Sequence, residues 1–205
     1  MAKKTASVEI RSEQLAQAVV DILAEQGRGA LTREKISERA GLSRPLIYYY
    51  FNSAEAVLAS SFRWICHKLL DREEQMAGKA EEATRVLMPS IVQTFVPQND
   101  NTRKLYRAFF ALLPEASIKD ELRGEVAQLR ARRREMLAQL LLEVARTGDV
   151  RPPDGCDLDA ISGLLESAAM RAAVESSQER GIIGNATDAL QRYLRPFQQP
   201  TAVAA

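Results

Sequence analysis

The sequence predicts an all-α fold: a small N-terminal unit of three short helices, followed by a larger helical body. Three observations carry this expectation. Apolar residues recur at helical spacing along almost all of the 205 residues, and no segment reads as a strand. The punctuation is uneven, with Gly27, Gly29, Gly41 and Pro45 dividing the first fifty residues closely, whereas the periodic stretches lengthen beyond Gly78. Composition, at 46% hydrophobic and 27% charged, supplies enough apolar surface for a core and too much for a disordered chain.

The first helix is read from about Ser7 to Gln26, with Leu15, Ala18, Val19, Ile22 and Leu23 as its apolar stripe and Gly27 and Gly29 as its stop. Thr32 is a good N-cap for a short second helix, and Glu34 in its first turn complements the helix dipole. Ala40-Gly41 closes that helix after barely two turns. Ser43 caps a third, with Pro45 in the first turn where its missing N–H costs nothing. Asn52-Ser-Ala-Glu55 resembles a capping box and opens a fourth helix through about Gln75. Further helices are expected over about 81–95, 102–113, 118–147, 158–178 and 185–197. Loops are expected at 97–100, Pro114, 151–155 and 181–184. The domain division that follows is 1–52 and 53–205.

Several chemistries are disfavoured. A single histidine, His67, nearly removes His-based metal sites and weakens any Ser-His-Asp arrangement. Cys66 and Cys156 sit in neither a CxxC nor a zinc spacing and read as two free thiols. No glycine-rich phosphate loop or metal cluster is present, so neither a cofactor nor a metal is expected. No run of about eighteen apolar residues indicates a membrane span, and the basic N-terminus lacks an apolar stretch behind it, so a cytoplasmic location is expected. Net charge is only +1, so a nucleic-acid partner would need basic groups gathered locally.

Two short helices with a glycine-containing break describe a helix-turn-helix. Ile36, Ala40, Leu42 and Ile47 should face the first helix's stripe, while Gly41 permits a left-handed turn. Arg44, Pro45, Tyr48 and Tyr49 then fall on or near the outer face of the third helix. Three consecutive tyrosines in a chain with 6% aromatics exceed what a core needs. Tyrosine and arginine suit a helix that lies in a major groove, reaching base edges and phosphates. Tyr50 keeps two readings, core beside Phe51 or phosphate contact.

The stretch Thr32–Leu58, TREKISERAGLSRPLIYYYFNSAEAVL, resembles the DNA-binding signature of the TetR (tetracycline-repressor) family of transcriptional regulators. Thr32, Ile36, Ala40, Gly41, Ser43, Tyr48 and Phe51 stand on that pattern, and the resemblance covers about the first 65 residues. Three positions depart from it: Ser37 replaces a small alanine, Pro45 stands where small residues are common, and Ala54 replaces a lysine that resembles a phosphate clamp. The resemblance implies phosphate contacts from Thr32, Ser43, Tyr49 and Tyr50. It implies base contacts from Arg44, Tyr48 and Pro45, with Arg33 and a Lys3-Lys4 arm as electrostatic helpers.

In 158–178 one stripe is Leu158, Ile161, Leu165, Ala168 and Ala172, and a second is Ala160, Gly163, Ser167, Met170 and Val174. A helix apolar on two faces is buried from two sides. The resemblance implies that the last two helices, with Leu190, Tyr193 and Leu194 in the final one, form a four-helix bundle across a homodimer. It also implies an effector pocket within helices four to eight. Phe62, Trp64, Met88, Phe95, Tyr106, Phe109 and Phe110 are its candidate lining for a largely apolar small molecule. The basic run Arg130-Ala-Arg-Arg-Arg134 reads as a solvated helix face with glutamate partners rather than a second nucleic-acid patch.

The expectation is therefore a ligand-responsive repressor, not an enzyme, that a small-molecule effector releases from a palindromic double-stranded DNA operator. The alternatives are an activator, a non-specific architectural DNA binder, or an all-helical enzyme.

Overall fold

A computed structural model describes residues 2–50, 53–82, 88–146, 150–175 and 178–195, with side chains from Arg11 onward except at 48–50, 54, 81–82 and 179. The described elements are all helical: α1 Ala2–Gln26, α2 Arg33–Ala40, α3 Arg44–Tyr50, α4 Ala54–Glu82, α5 Met88–Phe95, α6 Asp100–Leu112, α7 Asp120–Ala145, α8 Gly155–Val174 and α9 Glu179–Tyr193. Short 3₁₀ turns at Arg28–Ala30 and Leu113–Ser117 link α1 to α2 and α6 to α7.

Local chemistry sets the boundaries. Gly27, at φ +76°, ends α1. The Thr32 hydroxyl accepts from Lys35 N–H at 3.3 Å and so caps α2. Gly41 adopts φ +64° and returns its N–H to the Ser37 and Glu38 carbonyls, closing α2 in the left-handed turn that disfavours a Cβ. Ser37, the departure from alanine, donates its hydroxyl to Leu42 O at 2.6 Å and braces that turn.

Some expected bounds need correction, and others lie partly outside the described residues. The described cap of α4 is Ser53, whose hydroxyl accepts from Ala56 N–H at 3.0 Å; Asn52 lies outside the described residues. α4 continues to Glu82 rather than Gln75, because Ala77 and Ala80 carry its buried stripe two turns further. The helix expected from about residue 81 is described only from Met88, as α5. Gly181 and Gly184 form no loop: they lie inside α9, where Ile182, Ala186 and Leu190 supply a buried face that outweighs the propensity cost of two glycines.

Two apolar clusters make the core. One joins the α1 stripe, Ile36, Ile47, the first half of α4, Tyr106, Phe109 and the first half of α7. The other joins the end of α4, α5, the second half of α7, α8 and α9. The three-helix unit thus shares its core with α4, α6 and α7 rather than closing one alone. Arg72 of α4 fastens the end of α5 by donating to the Gln93, Thr94 and Val96 carbonyls at 2.6–3.0 Å.

Exposed charges also tie the unit to the body. Glu25 of α1 bonds Arg39 of α2 at 2.8 Å and Lys104 of α6 at 3.2 Å. Those bonds, from Arg39 first and then Lys104, hold its carboxyl at about 2. The Asp157 carboxyl is likewise held low by Arg151 and then by the Asp154 N–H. An unfolded chain takes up protons that these folded carboxylates refuse, so their stabilisation is full above about pH 4.5 and is lost as pH falls toward 2. The urea midpoint should therefore be level above pH 5 and decline below pH 4.5, with part of that slope absent in Glu25→Gln. Identical slopes in the two proteins would refute the assignment.

Candidate nucleic-acid interface and effector cavity

The α2–turn–α3 unit is positioned from beneath. Ile36 and Ile47 are buried against the α1 stripe, and Ala40 and Leu42 pack on them half-buried. Thr32, Ser43, Arg44 and Pro45 are exposed at the start of α2 and α3, and Arg33 is half-buried. Pro45 is the second residue of α3, where no intrahelical donor is needed. Thr32 accepts from the backbone yet keeps its own O–H to donate. Tyr48, Tyr49 and Tyr50 lie on α3, but their side chains, like those of Lys3 and Lys4, lie outside the described residues.

Arg44 is 61% exposed and, among the described residues, pairs with Glu34 at 3.6 Å. Exposed pairs of this kind contribute about 0–1 kcal/mol, so the guanidinium can turn toward another partner at little cost. Glu55, in the first turn of α4, has its carboxyl lowered by its own backbone N–H, then by the Ser53 hydroxyl.

A cavity of about 380 Å³ lies among α5, α6, α7 and α8. Phe95, Tyr106 and Phe110 line it together with Leu137, Leu165 and Ala169. The remaining proposed lining residues lie elsewhere. Phe62 and Phe109 are stacked in the first core cluster at 5.8 Å, and Met88 is buried in the second. Trp64 is half-buried against the first cluster, with Lys68 over its ring. Phe62, Phe109 and Met88 fill the interior because the regular apolar stripes of α4, α5 and α6 point there.

The basic run of α7 supplies the polar side of the cavity. Arg130 pairs with Glu166 at 3.0 Å and Arg134 with Asp159 at 3.4 Å, while Arg132, away from the cavity, pairs with Glu74 and Glu135. Acid partners are thus present, but the face is not uniformly solvated. Arg133 turns inward and grips Glu73 of α4 through Nε at 2.8 Å and Nη2 at 2.6 Å. Glu73 is 0% exposed, and the Tyr106 hydroxyl sits 2.7 Å from both its Oε1 and the Phe95 carbonyl. Burial alone would lower the Arg133 pKa, but the Glu73 charge reverses this and holds it above its ordinary value. Burial, then Glu73, pushes the Tyr106 phenol up, so it is a permanent donor.

Sequence reasoning did not single out this triad, although a signal exists. Glu73 falls four residues after Leu69 and four before Ala77, on the apolar stripe of α4. Arg133 falls four after Leu129 and four before Leu137, on that of α7. Opposite charges at stripe positions of two helices predict a buried pair.

On α8 the first stripe is turned inward, with Ile161, Leu165, Ala168 and Ala172 buried and Leu158 half-buried. Ala160, Gly163, Ser167, Met170 and Val174 are exposed, Met170 to 48% and Val174 to 69%, and Tyr193 of α9 is exposed to 48%. Leu190 and Leu194 must be withdrawn from any interface: both are 0% exposed within the second core cluster. Gly163 also lines the cavity.

The architecture is a helix-turn-helix head on an all-helical body that holds a cavity. Residues 16–60 match the family described as bacterial regulatory proteins, tetR family. Over 114 residues the chain is 27% identical to HTH-type transcriptional regulator BetI of Rhizobium meliloti (strain 1021), a match spanning 56% of each, so it covers about half the length of that relative. A TetR transcription regulator from Haloarcula marismortui ATCC 43049 superposes with a TM-score of 0.72 at 17% identity, over 91% of this chain and 97% of that one. A protein from Saccharomonospora viridis, solved in complex with choline, gives 0.72 at 16%, over 90% and 95%. The chain thus resembles TetR-family regulators by sequence in its N-terminal segment and by fold over most of its length.

Proposed function

We propose that the chain is a cytoplasmic, homodimeric transcriptional regulator: a repressor that leaves a palindromic operator when a small molecule enters the α5–α8 cavity. One observation carries this reading. α4 runs unbroken from Ala54, beside the reading head, to Glu82, and its Glu73 is bonded to Arg133 and Tyr106 in the cavity wall. A ligand that favours one position of Arg133 or Tyr106 thereby biases the helix that carries the head. Couplings of this kind are typically about 1–3 kcal/mol.

In the dimer, the exposed stripe Ala160, Gly163, Ser167, Met170 and Val174, with Tyr193, meets its counterpart. Small residues there allow two backbones to approach, and the two heads then address half-sites about 34–36 Å apart. Thr32 and Ser43 contact phosphates, with Tyr49 and Tyr50 beside them, while Arg44, Pro45 and Tyr48 approach bases. No helix among the described residues is long and apolar enough to cross a membrane.

Selection of bound duplexes from a random pool tests the reading, and a failure to favour any duplex over scrambled competitor overturns it. On the selected site, Arg44→Ala should cost about 1–3 kcal/mol, with specificity relaxed at one position per half-site. A uniform loss over all sequences would instead make Arg44 a phosphate contact.

The choline held by the Saccharomonospora viridis protein suggests a cationic effector. The Tyr106 face that could hold such a cation is already covered here, since the Arg133 guanidinium lies 5.8 Å from that ring.

A further inference from the structure

We propose that the cavity takes a small amphipathic anion, a carboxylate on an apolar body, with Arg133 receiving the charged end. This inference rests on the reading of the cavity as the effector site.

The donors are in place and the competing acceptors are taken. Arg133 spends Nε and Nη2 on Glu73, which leaves Nη1 and its two N–H groups without a hydrogen-bond partner among the described residues, on a side chain that lines the cavity. Each carboxylate nearby is already engaged: Glu73 by Arg133 and Tyr106, Glu166 by Arg130, Asp159 by Arg134. A cation entering the cavity therefore finds no unpaired carboxylate among the described residues, and it meets the guanidinium groups of Arg130, Arg133 and Arg134. An oxyanion finds a partly buried guanidinium edge, where charge-assisted bonds are strongest. Phe95, Phe110, Leu137 and Leu165 receive the apolar remainder, and about 380 Å³ lies in the range of small-molecule sites.

Occupancy has a consequence for α4. An oxyanion at Nη1 draws on the same guanidinium charge that holds Glu73, so filling the cavity loosens the α7 grip on the helix that leads to the reading head.

The test uses the full chain and three length-matched probes, octanoate, 1-octanol and octyltrimethylammonium, titrated calorimetrically at fixed salt. Octanoate should bind roughly 10- to 100-fold more tightly than 1-octanol, the ratio expected for hydrogen bonds to a charged group, with octyltrimethylammonium weakest. In the doubly neutral variant Glu73→Gln/Arg133→Gln, verified by circular dichroism, octanoate should fall to the level of 1-octanol. Should that variant fail to fold, the ranking of the three probes on the unaltered protein decides alone. Absence of octanoate binding, stronger binding of the cation, or an unchanged octanoate preference in the folded double variant overturns the proposal. Adding octanoate to the operator complex tests the regulatory reading separately: binding without release of DNA upholds the anion site and removes the switch.

Discussion

Arg133→Ala is expected to lower the free energy of unfolding by about 3–5 kcal/mol, the range for breaking a buried ion pair by removing one partner. The reason is not the loss of an attractive contact alone. Glu73 is 0% exposed and, among the described residues, keeps the Tyr106 hydroxyl alone once the guanidinium is gone. A carboxylate so placed is left buried without its counter-ion, and that costs stability. Glu73→Gln/Arg133→Gln, which removes both charges and keeps hydrogen-bonding groups, should recover most of the loss. Urea unfolding of the three proteins at pH 7.5 checks this. An Arg133→Ala protein within about 1 kcal/mol of the unaltered chain would mean that the pair is effectively solvated.

The position of this pair explains both what the sequence reveals and what it conceals. Periodicity made the helical class, the α1 stripe and the helix-turn-helix legible, since Leu15 to Leu23, Ile36 and Ile47 repeat at the spacing that their burial requires. Periodicity also places Leu190 and Leu194 on an apolar face, but it cannot say whether that face meets the chain's own α5 or a second copy; both are sealed within the protomer. The same limit affected the aromatics. Phe62 and Phe109 stack on one another while Phe95, Tyr106 and Phe110 border the cavity, a distinction that depends on how α4, α6 and α7 pack rather than on residue type. The basic run was half legible. Acid partners were expected for it, but the inward turn of Arg133 requires both helix phases to be read together. Helix ends were legible where a side chain caps them, as at Thr32, and failed where burial overrode propensity, as at Gly181 and Gly184.

The double substitution Met170→Asp/Val174→Asp should separate the proposed dimer from the fold. Both residues are exposed on the protomer, 48% and 69%, so neither supports its core and the monomer should keep its helicity and its urea midpoint. Facing their counterparts across a two-fold axis, the aspartates would place like charges in an apolar contact, and sedimentation should show a monomer at micromolar concentration. The cost then appears in DNA binding. Two linked heads gain about 10²–10⁴-fold over one through effective concentration, so operator affinity should fall by that order although no residue of α2 or α3 has changed. Leu190→Asp supplies the contrast, because a charge at a 0% exposed position should unfold the protomer itself. A Met170→Asp/Val174→Asp protein that stays dimeric and holds its operator would move the interface off α8.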